Sequence, residues 1–300
     1  MTAEAVSRPT IWEYLVDARL EQAWVDAAGV STRVLRAGKR GNPPLLFLHG
    51  TTGHVETYAR NLAEHAKYFD CIAIDMVGHG LTGKPEQNYE IPDYAKHVAD
   101  TLDALGLETV MITGQSLGGW VAAEFALRYP GRVTRLCLNT TGGAHSDPQS
   151  MKSILEKTMA AAQNPTREIV RKRLEFLMSD PSSVTEELVS CRQHMYQQPG
   201  MLEATRRILC LQDPEVRARN VLADERWAQI AVPTLVLWTT DDPTAPPRVG
   251  ERIAAAIQGS RFVLMERCGH WPQWESPEEF NSLHIAFMRG EAVSPERAGA

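Results

Sequence analysis

The sequence predicts an α/β domain built on a mostly parallel, doubly wound sheet, interrupted by an inserted helical lid. Two observations predict it: short apolar runs alternate with amphipathic helical patterns, and the strand-like runs lapse from about 146 to 229 before resuming. Apolar runs bounded by turn residues suit strands covered on both faces, and strand–helix alternation implies right-handed crossovers between parallel neighbours. A length of 300 residues accommodates one core with an insertion.

Taken in order, the stretch Glu21 to Leu35 alternates around Ala27-Ala28-Gly29, which predicts a hairpin adding antiparallel strands to one edge. Strands are expected at 45–48, 71–74, 110–113 and 136–138, with helices at about 55–67, 93–106 and 117–129 between them. Helical segments then follow one another, punctuated by Asn164-Pro165, Asp180-Pro181, Pro199-Gly200 and Asp213-Pro214. Strands resume at 234–238 and 261–265, with a helix between them and another after Pro277. The partition is therefore core at 1–145, lid at 146–229 and core again at 230–300, with a polar tail beyond Gly290 expected to be disordered. No internal repeat or low-complexity tract is present.

Hydrophobic residues make up 43% and charged residues 23%, which indicates a packed domain and leaves function to local motifs. A net charge of -6, with no basic cluster longer than Arg171-Lys172-Arg173, argues against a nucleic-acid partner. The five cysteines, Cys71, Cys137, Cys191, Cys210 and Cys268, are scattered and lack C-x-x-C spacing, so neither a disulfide framework nor a metal site is expected. The amino terminus has no apolar signal region and no run approaches 18 apolar residues, so the expectation is a soluble cytoplasmic protein without a membrane partner.

The chemistry concentrates at I-T-G-Q-S-L-G-G-W, residues 112–120. Ser116 lies between Gly114 and Gly118, after a strand and before a helix, the context that lifts a serine hydroxyl clear of the backbone as a nucleophile. The plainer reading is a serine that caps the next helix. Serine needs a base, and the base needs an acid that holds its tautomer; on this kind of sheet they follow in the order Ser, Asp or Glu, His. Of the downstream histidines, His145 and His194 fall in or beside the lid and His284 lies within the last helix, whereas His270 follows a strand in a loop with Gly269. His270 is the expected general base. The loop T-T-D-D-P-T-A-P offers Asp241 and Asp242, and the spacing of Asp242 to Pro246 favours Asp242 as the acid. Backbone amides of Leu117, at a helix start, and of Thr51, after the first parallel strand, are the expected oxyanion donors. His49 reads as a loop brace and Asp75 as a turn former, while His54 and His79 sit on loops at strand ends where ligands bind.

Taken together, L-H-G, G-Q-S-L-G-G, D-D-P-T-A-P and C-G-H-W-P-Q-W-E resemble the α/β-hydrolase superfamily over nearly the whole chain. Within it, C-G-H-W-P-Q-W-E followed by P-E-E-F is similar to the meta-cleavage-product hydrolases, which cut a carbon–carbon bond in ring-opened aromatic products. That resemblance implies that Arg192, in the lid stretch T-E-E-L-V-S-C-R, binds the substrate carboxylate, and that Trp271 packs beside the site. Gln115 and His54 are the other residues expected to meet substrate, and lid residues Phe176, Met195, Tyr196 and Met201 are expected to form the pocket for the group flanking the ketone. The loop G-T-T-G-H and the Gln115 and Leu117 flanks depart from the resembled pattern and point to an unusual substrate. The expectation is a serine hydrolase without cofactor or metal, acting on a 2-hydroxy-6-oxo-hexa-2,4-dienoate-type small molecule, and able to associate as a homo-oligomer. A carboxylesterase or lactonase would use the same triad, and a ligand receptor on the same scaffold would show very slow turnover.

Overall fold

The computed structural model describes residues 10–144 and 147–293, so the expected junction at 145/146 and most of the polar tail lie outside the described residues. Eight strands form one sheet: β1 (Leu20–Ala27), β2 (Val30–Ala37), β3 (Pro44–Leu48), β4 (Asp70–Ile74), β5 (Val110–Gln115), β6 (Val133–Asn139), β7 (Thr234–Thr239) and β8 (Arg261–Met265). Their order is β1-β2-β4-β3-β5-β6-β7-β8, with β1–β2 and β2–β4 antiparallel and every later pair parallel. The hairpin turns at Ala28 and Gly29, both at positive φ. Every residue of β4, β5 and β7 is buried, which is why their sequences run apolar without alternating.

After β3 the chain crosses to β4 on one side, then to β5 on the other. The loops that follow β3 and β5 therefore leave the sheet at a switch point, where strand ends diverge and a crevice opens.

The core helices are α1 (Ile11–Leu15), α2 (Ala59–His65), α3 (Ile91–Ala104) and α4 (Leu117–Arg128), followed after the lid by α11 (Pro247–Ala256), α12 (Pro272–Glu275) and α13 (Pro277–Met288). Three departures from the sequence reading have local causes. The helix expected at about 55–67 is split, because Val55–Tyr58 is a 3-10 turn. α3 begins two residues early, since Asp93 caps the Glu90 amide at 3.0 Å and Pro92 is tolerated in a first turn. α1 was not foreseen, although its capping box of Thr10 and Glu13 is a sequence signal.

Between β6 and β7 lie α5 (Pro148–Gln163), α6 (Arg167–Glu175), α7 (Glu186–Tyr196), α8 (Met201–Ile208), α9 (Pro214–Asn220) and α10 (Asp224–Trp227). Asp147, Thr166, Thr185 and Asp213 cap α5, α6, α7 and α9 with side-chain oxygens, so this segment is specified by its punctuation. Hydrogen bonds tie it to the core: Trp274 Nε1 donates to Ser183 O at 3.0 Å, Trp120 Nε1 to Asn220 O at 3.2 Å, and Leu222 N to Gly143 O at 2.8 Å. Among the described residues no helix is long and apolar enough to cross a membrane.

Candidate active site

Ser116 stands alone between β5 and α4 with φ 56° and ψ -116°. A non-glycine residue held there costs about 1–3 kcal/mol, which the surroundings must offset. Ser116 N donates to Asn139 O at 3.0 Å, and Ser116 O accepts from Gly119 N, Gly142 N and Trp120 N at 3.0, 3.0 and 3.2 Å. The flanking glycines are required by space: a Cβ on Gly114 would lie 2.1 Å from Gly118 O, and one on Gly118 would lie 2.3 Å from Leu48 O. The helix is thus pressed onto two strands, and the serine is the residue lifted out of the turn. Leu117 opens α4, so its N–H has no intrahelical acceptor.

His270 follows β8 and is clamped at both ends of its peptide. Its N–H donates to Leu177 O at 2.7 Å, and its carbonyl accepts from Gln115 Nε2 and Thr140 Oγ1, both at 3.0 Å. The ring Nδ1 lies 2.8 Å from Asp242 Oδ2, with the Asp242 side chain fully buried. Thr244 fixes the other carboxylate oxygen, donating N–H at 2.8 Å and O–H at 2.7 Å to Oδ1. A carboxylate only accepts, so Nδ1 carries the ring proton and Nε2 keeps its lone pair for a proton transfer. Asp241 turns away and accepts from Ser179 Oγ of the lid at 2.7 Å.

Ser116 and His270 are walls of the same two cavities, which also share Thr51, Ile154 and Thr244. The larger, about 80 Å³, adds Leu117, Trp120, Met151, Ile208 and Leu211. The smaller, about 30 Å³, adds Gly50, Gln115, Arg173, Leu177 and Trp271. Ser116, His270 and Thr51 therefore border both cavities, Leu117 the larger alone, and Gln115 and Trp271 the smaller alone. Gln115 lines the smaller one, its Nε2 donating to His270 O at 3.0 Å and to Thr140 Oγ1 at 3.4 Å.

Other residues fall elsewhere. Phe176, Met195, Tyr196 and Met201 are absent from both linings; instead α5 and the turn Leu209–Gln212 supply the apolar walls. Tyr196, for example, spends its hydroxyl on Thr52 Oγ1 at 3.0 Å. Arg192 and His54 are also absent from both linings. Arg192 is buried, hydrogen-bonds Thr52 O, and lies 5.5 Å from the Trp271 ring centroid. It pins the lid to a loop in which Thr52 holds φ 52°. His54 Nδ1 is 2.7 Å from Glu56, and burial, followed by the charge of Arg192, holds its pKa down.

His49 is the loop brace its sequence suggested: Nδ1 meets Gly50 O at 2.8 Å, and Nε2 accepts from Met76 N at 3.1 Å. Asp75, read from sequence as a turn former, has a larger role. Fully buried, it accepts from Val55 N at 2.8 Å, Leu81 N at 2.9 Å and Arg33 Nη1 at 3.3 Å, fastening loops that sequence places far apart. Arg173 in the smaller cavity was not singled out from sequence, where it reads as one member of a solvated basic run.

Comparison with known proteins agrees with this fold. A family described as the alpha/beta hydrolase fold matches residues 43–277. A 2-hydroxy-6-oxononadienedioate/2-hydroxy-6-oxononatrienedioate hydrolase of Burkholderia vietnamiensis is 31% identical over 257 residues, 83% of this chain and 88% of its own. A 2-hydroxy-6-oxo-2,4-heptadienoate hydrolase of Pseudomonas putida is 31% identical over 271 residues, 88% of this chain and 95% of its own. Among solved structures, a variant of a meta-cleavage product hydrolase from Pseudomonas fluorescens superposes with a TM-score of 0.80 at 29% identity, covering 89% of this chain and 97% of that one. The chain is a hydrolase that belongs to the α/β-hydrolase family and, within it, resembles the meta-cleavage product hydrolases.

Proposed function

We propose that this hydrolase cleaves the C5–C6 bond of a 2-hydroxy-6-oxo-hexa-2,4-dienoate-type ring-fission product, using Ser116 as nucleophile, His270 as base and acid, and Asp242 as the residue that orients the ring. The observation that carries the reading is the Asp242–His270 pair, 2.8 Å apart, with His270 on a cavity wall shared with Ser116. The names of the relatives supply the substrate class.

In this reading the dienol first moves its 2-hydroxyl proton to C5, giving a 2,6-diketone whose C5–C6 bond can break. Ser116 Oγ attacks C6 while its proton passes to His270 Nε2. The amides of Leu117 and Thr51 receive the C6 oxyanion; losing one such donor typically costs about 3 kcal/mol of barrier. Collapse breaks C5–C6, the electron pair passing into a dienolate that takes the proton from His270 and leaves as 2-hydroxypenta-2,4-dienoate. Water, deprotonated by His270, then attacks the acyl-serine, releasing a carboxylic acid and restoring Ser116. One water is consumed in each turnover. The apolar walls of the larger cavity suit the C6 substituent, and a buried lid arginine suits the carboxylate.

Steady-state assays of the purified protein against yellow ring-fission dienols differing at C6, and against nitrophenyl esters, test this. The expected result is a kcat/KM for at least one dienol exceeding that for the esters by about tenfold or more. The opposite ranking assigns the protein to ester hydrolysis with the same residues.

A further inference from the structure

The peptide of His270 is oriented by the lid. His270 N donates to Leu177 O at 2.7 Å, so the acceptor that fixes this amide comes from the inserted segment and not from the sheet. The carboxylate of Glu275, at the end of α12, bridges the same two segments. Its Oε1 accepts from Gly269 N at 2.8 Å, and its Oε2 accepts from Ser179 N at 2.7 Å and Asp180 N at 3.2 Å. These donors are all backbone amides: two belong to the lid, and one to the residue just before the base. Burial pushes the Glu275 carboxyl above its ordinary value, and the three amides pull against that rise, as donors that meet the ionised form must. Gly269 lets the segments touch, because a Cβ there would lie 2.5 Å from both Leu177 O and Ser179 N. Asp241 Oδ2 also accepts from Ser179 Oγ at 2.7 Å, a tie to the lid that involves neither Gly269 nor His270.

Lifting residues 177–180 would remove the acceptor of His270 N and the two lid donors to Glu275 in one movement. A general base works only within hydrogen-bond reach of the proton it takes, and a misplacement of about 1 Å can cost about 100-fold in rate. We propose that Glu275 is a positioning residue that locks the His270 loop to the docked lid, so that the base is aligned only while residues 177–180 are seated. The proposal rests on His270 as the base, assigned above, and not on which bond is cleaved.

The test compares the wild type with Glu275→Ala, Glu275→Gln, Gly269→Ala and Asp241→Asn, each checked for folding by circular dichroism and assayed well below its melting temperature. The substrate is a ring-fission dienol or a nitrophenyl ester, whichever the wild type hydrolyses faster. Glu275→Ala should lower kcat by about 10- to 100-fold and leave KM within about threefold. Glu275→Gln keeps one oxygen as acceptor for one of the two segments; it should show a smaller loss, and it stands in should the alanine variant not fold. Gly269→Ala, which forces the segments apart, should reproduce the loss. Two readouts need no substrate. In Glu275→Ala, amide hydrogen exchange should quicken by about tenfold or more at His270 and at residues 179–180 together. The far-downfield proton of the His270 Nδ1–H bond to Asp242, assigned by its loss in His270→Gln, should broaden in the same variant. Asp241→Asn should change neither. A Glu275→Ala protein with kcat within about threefold of the wild type overturns the proposal. So does a loss of activity with the His270 amide and Nδ1 proton unaltered, or an Asp241→Asn protein that matches Glu275→Ala. Ester turnover without dienol turnover would instead remove the carbon–carbon reaction and leave the role of Glu275 standing.

Discussion

Asp242 Oδ2 lies 2.8 Å from His270 Nδ1, while its chain neighbour Asp241 holds Ser179 of the lid at 2.7 Å. Two adjacent carboxylates thus have separate tasks. Asp242→Asn would present an amide to a ring that needs an acceptor, favouring the wrong tautomer, and kcat should fall by about 10⁴-fold. Asp241→Asn should leave kcat within about threefold and remove only a lid tie worth about 1 kcal/mol. Steady-state kinetics and urea unfolding of the two variants, side by side, check both halves.

Gly114→Ala and Gly118→Ala place a methyl 2.1 and 2.3 Å from backbone carbonyl oxygens, which cannot swing aside as a side chain can. Each should destabilise the fold by about 3 kcal/mol or more, or abolish it. Gly131→Ala, with open space around its Cβ but positive φ, should cost only about 1 kcal/mol. Thermal melts of the three variants give the ranking.

Acid sensitivity follows from buried histidines outside the site. Burial lowers His65 and His97 to about 4. His97 Nδ1 accepts from Val77 N at 3.3 Å, and its Nε2 lies 2.8 Å from Thr32 Oγ1, an arrangement made for the neutral ring. In the unfolded chain these histidines titrate near 6.5, so between about pH 6.5 and 4 the unfolded state binds protons that the folded state refuses. Their contribution is therefore complete above 6.5 and declines as the pH falls, by up to roughly 3 kcal/mol for each ring. Urea midpoints measured from pH 7 to 4.5 should drop, with a shallower drop in His97→Gln; parallel pH profiles for the two proteins would refute the assignment.

Much of this was legible in the sequence because it is local. The strand, the glycine-flanked turn and the helix around Ser116 sit within a few residues of one another, and so do the proline and Asx caps that divide the lid. His270 could be found because chain order and a preceding strand narrowed the choice. What sequence could not give was partnership across the fold. Asp75 became a brace only because β4 ends beside the segments that carry Val55, Leu81 and Arg33. The apolar cavity wall comes from Met151 and Ile154 rather than from Met195 and Met201, because the packing of each lid helix decides which of its faces looks inward. Arg173 and Arg192 are both lid arginines in helical segments, and only tertiary packing puts Arg173 into the lining of the smaller cavity.

In the proposed reaction, covalent attack by the Ser116 hydroxyl on a carbonyl carbon is the step from which the other roles follow. Single-turnover kinetics of the wild type and Ser116→Ala with a ring-fission dienol, followed by loss of its visible absorbance, test that step most directly. The predicted result is a fall of about 10³-fold or more in the cleavage rate of a variant that still folds and binds the dienol. Cleavage by Ser116→Ala within about tenfold of the wild type would contradict it.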